Sequence, residues 1–376
     1  MTERSGRGLA ESHDHQGRRA KARAAVAERG AAHLLVTDPR NVRYLTGFTG
    51  SNGQVLLGPE PGDDLLITDA RYDLRAEVEA PDLPRTLDRD PFGVVLPLVV
   101  GQAGPGGQLL VEDHQLTWAA ARAANDRAAA QGLELVGAGR LVEALRLVKE
   151  PSEVERLAVA CDITQRCLAW LFDEVVTIGR TERELATLLE RRFVDDGADG
   201  VAFPSIVASG PNSAIPHHEP TDRRLQAGDL LTIDCGALVG GYHADHTRTV
   251  AIGYLDDRLV EVYEVVRAAQ SAGRAAVTAG VEAGEVDAAA RGVVEDAGYG
   301  EAFVHGTGHG VGLAVHEDPP VSRGATGTLR AGIVLTVEPG LYLPGLGGVR
   351  IEDTLVVTAD GPARALTDTP RELRVL

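Results

Sequence analysis

Apolar and polar positions alternate along this chain in two textures. Up to about residue 149, short apolar runs at 33–36, 54–57, 64–68, 109–112 and 133–135 read as strands, and Ala-rich stretches of helical period lie between them. Strands alternating with helices predict an α/β unit, preceded by an amphipathic helix over 18–29. Pro151 marks a join, and Ser152 with Glu155 reads as the capping box of a long helix running toward Val176. Thr181 with Glu184 starts a second helix in the same way.

Beyond that point the pattern repeats. LLTIDCGALVGGYHADHTRTVAI reads as two strands joined through glycines, and helices are predicted over 257–278 and 285–297 before another strand-rich stretch. TIGRTERELATLLERRFVDDGADG also has a counterpart in TAGVEAGEVDAAARGVVEDAGYG, so two helix-helix-sheet halves are expected.

Composition narrows the field of functions. With 376 residues the chain exceeds one ordinary core, which predicts a tail over 1–20, a first domain over 21–149 and a second over 150–376. Its 37 basic and 55 acidic residues give a net charge of -18, which argues against nucleic acid as a partner. No apolar run reaches the length of a membrane span and no secretory signal is evident, so a cytoplasmic location is expected. Three scattered cysteines read as buried free thiols.

Five late side chains carry candidate chemistry: Asp234, Asp245, His309, Glu338 and Glu352. Four carboxylates and one imidazole nearly balance two divalent cations, and such oxygen-rich sets suit Mn, Co, Fe or Zn. Alternation through the second strand puts His243, Asp245 and Thr247 on one face, making Thr247 a candidate to orient Asp245. In HGTGHGVGLAVHE, the glycines at 306, 308 and 310 argue against a helix and for a loop approaching a ligand. Glu338 follows an apolar strand, where an unpaired carboxylate is costly. Arg350 would share a face with Glu352, so a salt bridge between them is the competing structural reading.

The segments DCGALVGGYHADHTRT, HGTGHGVGLAVHE, TVEPG and GVRIEDT resemble the metal-site segments of the pita-bread metallopeptidases, the family of aminopeptidase P, prolidase and methionine aminopeptidase. The resemblance implies an α/β N-terminal domain of creatinase type followed by an α+β pita-bread domain with pseudo-twofold halves. It implies two divalent metals, with Mn2+ foremost, held by Asp234, Asp245, His309, Glu338 and Glu352. Glu338 would then shuttle a proton, His217 would steady the tetrahedral intermediate with His218 a weaker candidate, and His316 would face substrate. His305 and Arg350 resemble substrate contacts of the proline-directed members.

A large leading domain disfavours methionine aminopeptidase, and the intact ligand set disfavours creatine amidinohydrolase. NVRYLTGFTGSNGQVLL and LLITDARYDLRAE resemble the leading domain of bacterial aminopeptidase P. The expected activity is therefore removal of the N-terminal residue from peptides with proline second, with Xaa-Pro dipeptidase as the alternative and a non-catalytic binding scaffold as a remote one. The resemblance also implies a homodimer.

Overall fold

The computed structural model describes residues 13–376, and most of the tail expected over 1–20 lies outside them. The described residues divide into two compact units between Arg146 and Leu147.

Six strands form the first unit's sheet: β1 His33–Val36, β2 Gly53–Leu57, β3 Leu65–Thr68, β4 Arg85–Leu87, β5 Gln108–Val111 and β6 Glu134–Gly137, in the order β4-β3-β2-β1-β5-β6. β1, β2 and β3 pair antiparallel, and the remaining pairs are parallel. Helices α1 His15–Glu28, α2 Pro39–Thr46, α3 Asp73–Glu79, α4 Pro91–Ala103, α5 Trp118–Ala130 and α6 Leu141–Arg146 complete the unit. Leu35, Leu56, Ile67 and Leu109 from the sheet join Leu96 and Val99 of α4 in one buried cluster. The first helix begins earlier than its apolar pattern suggests, and 15–20 are therefore helical rather than tail. Asp14 accepts from the Gly17 amide as N-cap, and the guanidinium groups of Arg18 and Arg19 are buried against the Tyr44 and Leu45 carbonyls.

The second unit shows its internal repeat in its helices. α7 Pro151–Trp170 and α8 Glu182–Asp195 have 20 and 14 residues; α9 Asp257–Ala276 and α10 Ala283–Asp296 have 20 and 14 again. Capping boxes open α8 at Thr181/Glu184 and α10 at Glu282/Glu285, matched positions of the two repeats. At α7 the box is Glu150/Glu153 rather than Ser152/Glu155, because Pro151 takes the first helical position.

After α8, strands β7 Gly200–Val201, β8 Ile206–Ser209, β9 Leu230–Cys235, β10 Ala237–Val239, β11 Tyr242–His243 and β12 His246–Ala251 build sheets ordered β12-β9-β8 and β11-β10-β7. After α10 come β13 Gly308–Gly310, β14 Glu317–Val321, β15 Val334–Val337, β16 Gly340–Leu343, β17 Gly347–Arg350, β18 Asp353–Val356 and β19 Arg364–Ala365. They form a sheet ordered β14-β13-β15-β18-β19 and a β16-β17 hairpin. Val262, Val266 and Ala269 of α9 bury against Leu230, Leu341 and Val349, closing the core behind the sheets. Cys161, Cys167 and Cys235 are free and buried.

Candidate metal centre

Asp234, one residue before the end of β9, pairs with Thr247 of β12, and Asp245 sits in the break just before β12. Both carboxylates therefore emerge at one end of the same strand pair. The second half supplies the rest: His309 from β13, Glu338 directly after β15, and Glu352 between β17 and β18. Ligand atoms of Asp245, His309 and Glu352 lie within 4.8 Å of one another. His309 Nε2 stands 3.5 Å from Asp245 Oδ2 and 3.3 Å from Glu338 Oε1.

Backbone geometry fixes these positions. A Cβ on Gly308 would stand 2.0 Å from the Thr336 carbonyl oxygen, and one on Gly310 would stand 2.1 Å from the Asp318 carbonyl oxygen. Gly308 and Gly310 thus serve close strand contact in β13, and Gly306 and Gly308 also bring backbone to the cavity wall. His309 Nδ1 is 2.9 Å from the Gly310 carbonyl, so Nδ1 carries a proton and Nε2 faces the carboxylates.

The electrostatics are those of a site short of positive charge. Burial, then the neighbouring carboxylates, push Asp245 and Glu352 well above the ordinary carboxylate range. Burial also opposes charge on Glu338, but the hydrogen bond and charge of His309, with His305 and Arg350, bring it down to about 2. His309 rises in return, because Glu338 outweighs its burial. Asp234 Oδ1 and Glu352 Oε1 are buried with no hydrogen-bond partner. Crowded carboxylates with orphaned oxygens, beside an oriented imidazole nitrogen, fit a donor set for divalent cations.

Two pairings differ from the sequence expectation. Thr247 donates to Glu352 Oε2 at 2.8 Å rather than orienting Asp245. Arg350 pairs with Asp234 at 2.7 Å, not with Glu352, because β17 ends at Arg350 and strand alternation stops there.

Arg350 also donates to the Tyr342 hydroxyl at 2.7 Å, and that hydroxyl is 2.8 Å from His305 Nε2. His305 Nδ1 faces the Gly306 carbonyl at 2.7 Å, so Nδ1 is the protonated nitrogen and Nε2 accepts from Tyr342. Burial first, with Arg350 beside it, lowers the His305 pKa and favours this neutral form. His316 stacks edge-on against His309 with centroids 4.3 Å apart. His217 is exposed toward the cavity, whereas His218 is buried with Nε2 2.8 Å from Glu182. Asp234, Asp245, His217, His218, His305, His309, His316, Glu338, Tyr342 and Arg350 line one cavity of about 460 Å3, with Phe203, Pro204, Ile206 and Val315 as its apolar wall. Tyr342 was hidden in the sequence by an apolar strand pattern, and only its place beside Arg350 reveals it.

Residues 155–359 match the model of metallopeptidase family M24, and residues 18–148 match the creatinase/prolidase N-terminal domain. The chain belongs to metallopeptidase family M24. As an M24 enzyme it is a hydrolase of peptide bonds, its family implies a divalent metal, and its two units correspond to the creatinase-type leading domain and the pita-bread catalytic domain. An Xaa-Pro dipeptidase of Pyrococcus furiosus is 42% identical over 233 residues, covering 62% of this chain and 66% of that protein. The structure of an Xaa-Pro dipeptidase from Bacillus anthracis superposes with TM-score 0.89 at 34% identity, covering 96% of this chain and all (100%) of that one. That of an X-Pro aminopeptidase from Thermotoga maritima gives 0.86 at 33%, covering 95% and 99%. Among the described residues, no helix of this M24 peptidase is long and apolar enough to cross a membrane.

Proposed function

We propose that this M24 peptidase is an Xaa-Pro dipeptidase that splits dipeptides ending in proline. The observation that carries the peptidase reading is the gathering of Asp234, Asp245, His309, Glu338 and Glu352, from both halves, with two buried carboxylate oxygens lacking partners. The dipeptide preference is supported by the Pyrococcus furiosus and Bacillus anthracis relatives, both Xaa-Pro dipeptidases. The aminopeptidase activity inferred from sequence resemblance becomes the second reading, favoured by the Thermotoga maritima structure.

Asp234, Asp245, His309, Glu338 and Glu352 would hold two ions, Mn2+ foremost, with Co2+, Zn2+ and Fe2+ also suited to the donors. Divalent metals in such a site supply a nucleophilic water near neutral pH and polarise the scissile carbonyl. The side chains do the remaining work. Glu338, anchored through Oε1 by Thr336 at 3.3 Å, takes up the proton released by the attacking water and passes it to the proline nitrogen. His217 donates to the carbonyl oxygen as charge develops there. His316, packed beside His309, steadies the substrate. His305, kept neutral by burial and oriented by Tyr342, with Arg350 behind it, frames the proline end. Proline lacks an N–H, so a site gripping the carbonyl loses nothing by its absence. A cytoplasmic homodimer acting on peptides is the setting this reading carries with it.

The test is hydrolysis of matched Xaa-Pro and Xaa-Pro-Xaa substrates by chelator-stripped protein reloaded with each metal in turn. Faster cleavage of the dipeptide is expected, with Mn2+ the best activator. Equal or faster cleavage of the tripeptide would restore the aminopeptidase reading. Absence of turnover with every metal would support the binding scaffold.

A further inference from the structure

Hydrogen bonds orient His305, His309 and His218 but not His217, yet the segment around His217 is tightly fastened. The carboxylate of Glu182, at the first position of α8 and fully buried, gathers that segment. Its Oε1 accepts from the Ser209 amide at 2.8 Å, the Ser209 hydroxyl at 2.7 Å and Asn212 Nδ2 at 3.0 Å. Its Oε2 accepts from His218 Nε2 at 2.8 Å, the Thr221 amide at 3.0 Å and the Thr221 hydroxyl at 2.6 Å. One carboxylate thus pins both ends of 209–221 and the residue next to His217, through charge-assisted bonds that use nearly every acceptor site it has.

Burial alone would raise the Glu182 pKa, yet the bonds from Thr221, Ser209, His218 and Asn212 hold it down to about 2, so it stays ionised. The partner half fastens its own wall from the matching helix. Asp287 of α10 accepts from the Thr307 amide at 3.1 Å and hydroxyl at 2.8 Å, and Arg291 donates to the His305 carbonyl at 2.7 Å. Glu190, the counterpart of Arg291 in the repeat, accepts from the Ser205 amide at 3.0 Å in the cavity wall. In both halves, the second helix anchors a histidine-bearing wall of the cavity.

We propose that Glu182 is the positioning residue for His217, setting its aim at the scissile carbonyl by clamping the 209–221 segment on both sides. This rests on the role given to His217 in the proposed function. The test is a double-mutant cycle of Glu182→Gln and His217→Ala in metal-loaded enzyme, on whichever substrate the wild type cleaves fastest, with bound metal measured in each variant. Glu182→Gln should lower kcat about tenfold with KM within about threefold and metal content unchanged, whereas in the His217→Ala background it should change kcat less than about twofold. Thr221→Val, a milder cut in the same clamp, should lower kcat about two- to threefold and also lose its effect when His217 is absent. The same factor in both backgrounds, or an unchanged kcat in Glu182→Gln and Thr221→Val, would overturn the clamp while leaving His217 in place. A wild-type kcat in His217→Ala alone would remove His217 from the mechanism, and the clamp with it.

Discussion

Replacing Glu352 with glutamine should make the metal-free protein more stable while destroying its use for metal. Glu352 is 1% exposed, its Oε1 has no hydrogen-bond partner, and its ligand atom lies within 4.8 Å of one on Asp245. Two unit charges at that distance, in an effective dielectric of about 20, repel by about 3 kcal/mol. Glutamine removes that repulsion and can still accept from Thr247, at the loss of about 1 kcal/mol for a bond to a neutral partner. A net gain of about 2 kcal/mol corresponds to roughly 4–8 °C in Tm for a unit of this size. The pH dependence has a definite sign. Asp245 and Glu352 are both raised well above ordinary carboxylate values by burial and then by their acidic neighbours. Their contribution is full below about pH 4, where the unfolded chain is also protonated, and is lost as pH rises toward the folded values. The assay is thermal unfolding of chelator-stripped wild type and variant between about pH 4.5 and 8, repeated with Mn2+. The variant should gain most at the alkaline end and lose most of the metal-induced rise in Tm. An apo variant no more stable than apo wild type at pH 8, or an equal metal response in both, would refute the reasoning.

Asp353 accepts from Arg248 at 2.8 Å, Arg274 at 3.1 Å and Arg371 at 2.6 Å, so Asp353→Asn should destabilise by about 3–5 kcal/mol, read from urea unfolding. A loss under about 1 kcal/mol would show that these arginines find solvent instead. Gly308→Ala should cost about 3 kcal/mol and weaken metal binding, since its Cβ would force β13 off the Thr336 carbonyl; Tm and metal titration together check this. Glu182, held at about 2 against an ordinary 4.5, contributes stability that is present above about pH 4.5 and is lost as pH falls toward 2. Acid unfolding of the wild type should therefore steepen across that window, and Glu182→Gln should flatten it.

Much of this arrangement could be read from local pattern. The strands 33–36, 54–57 and 109–112 match β1, β2 and β5 to within a residue, because buried β-branched and leucine runs in an α/β unit leave few alternatives. The Thr181/Glu184 box marks the start of α8 because reciprocal capping is wholly local. Short, exposed β4 carries no such run and gave no signal. At the site, what failed was alternation carried past the end of a strand: Glu352 lies in the break between β17 and β18, so its partner is Thr247, and Arg350 reaches Asp234 instead. Glu182 is an acid in a first helical turn, a common position that carries no mark of a wider role. Its clamp joins segments up to Thr221, and no local periodicity records a contact of that range.

The salt bridge from Arg350 to Asp234 also bears on how the molecule is made. Asp234 and Asp245 leave the ribosome well before His309, Glu338, Arg350 and Glu352, so an emerging first half carries two carboxylates with neither their imidazole nor their guanidinium. Neither half can close the centre alone. With the proposed ligand set divided between the halves, metal uptake during synthesis or refolding would wait for their docking, and a stopped-flow metal indicator should respond with the last folding phase rather than the first.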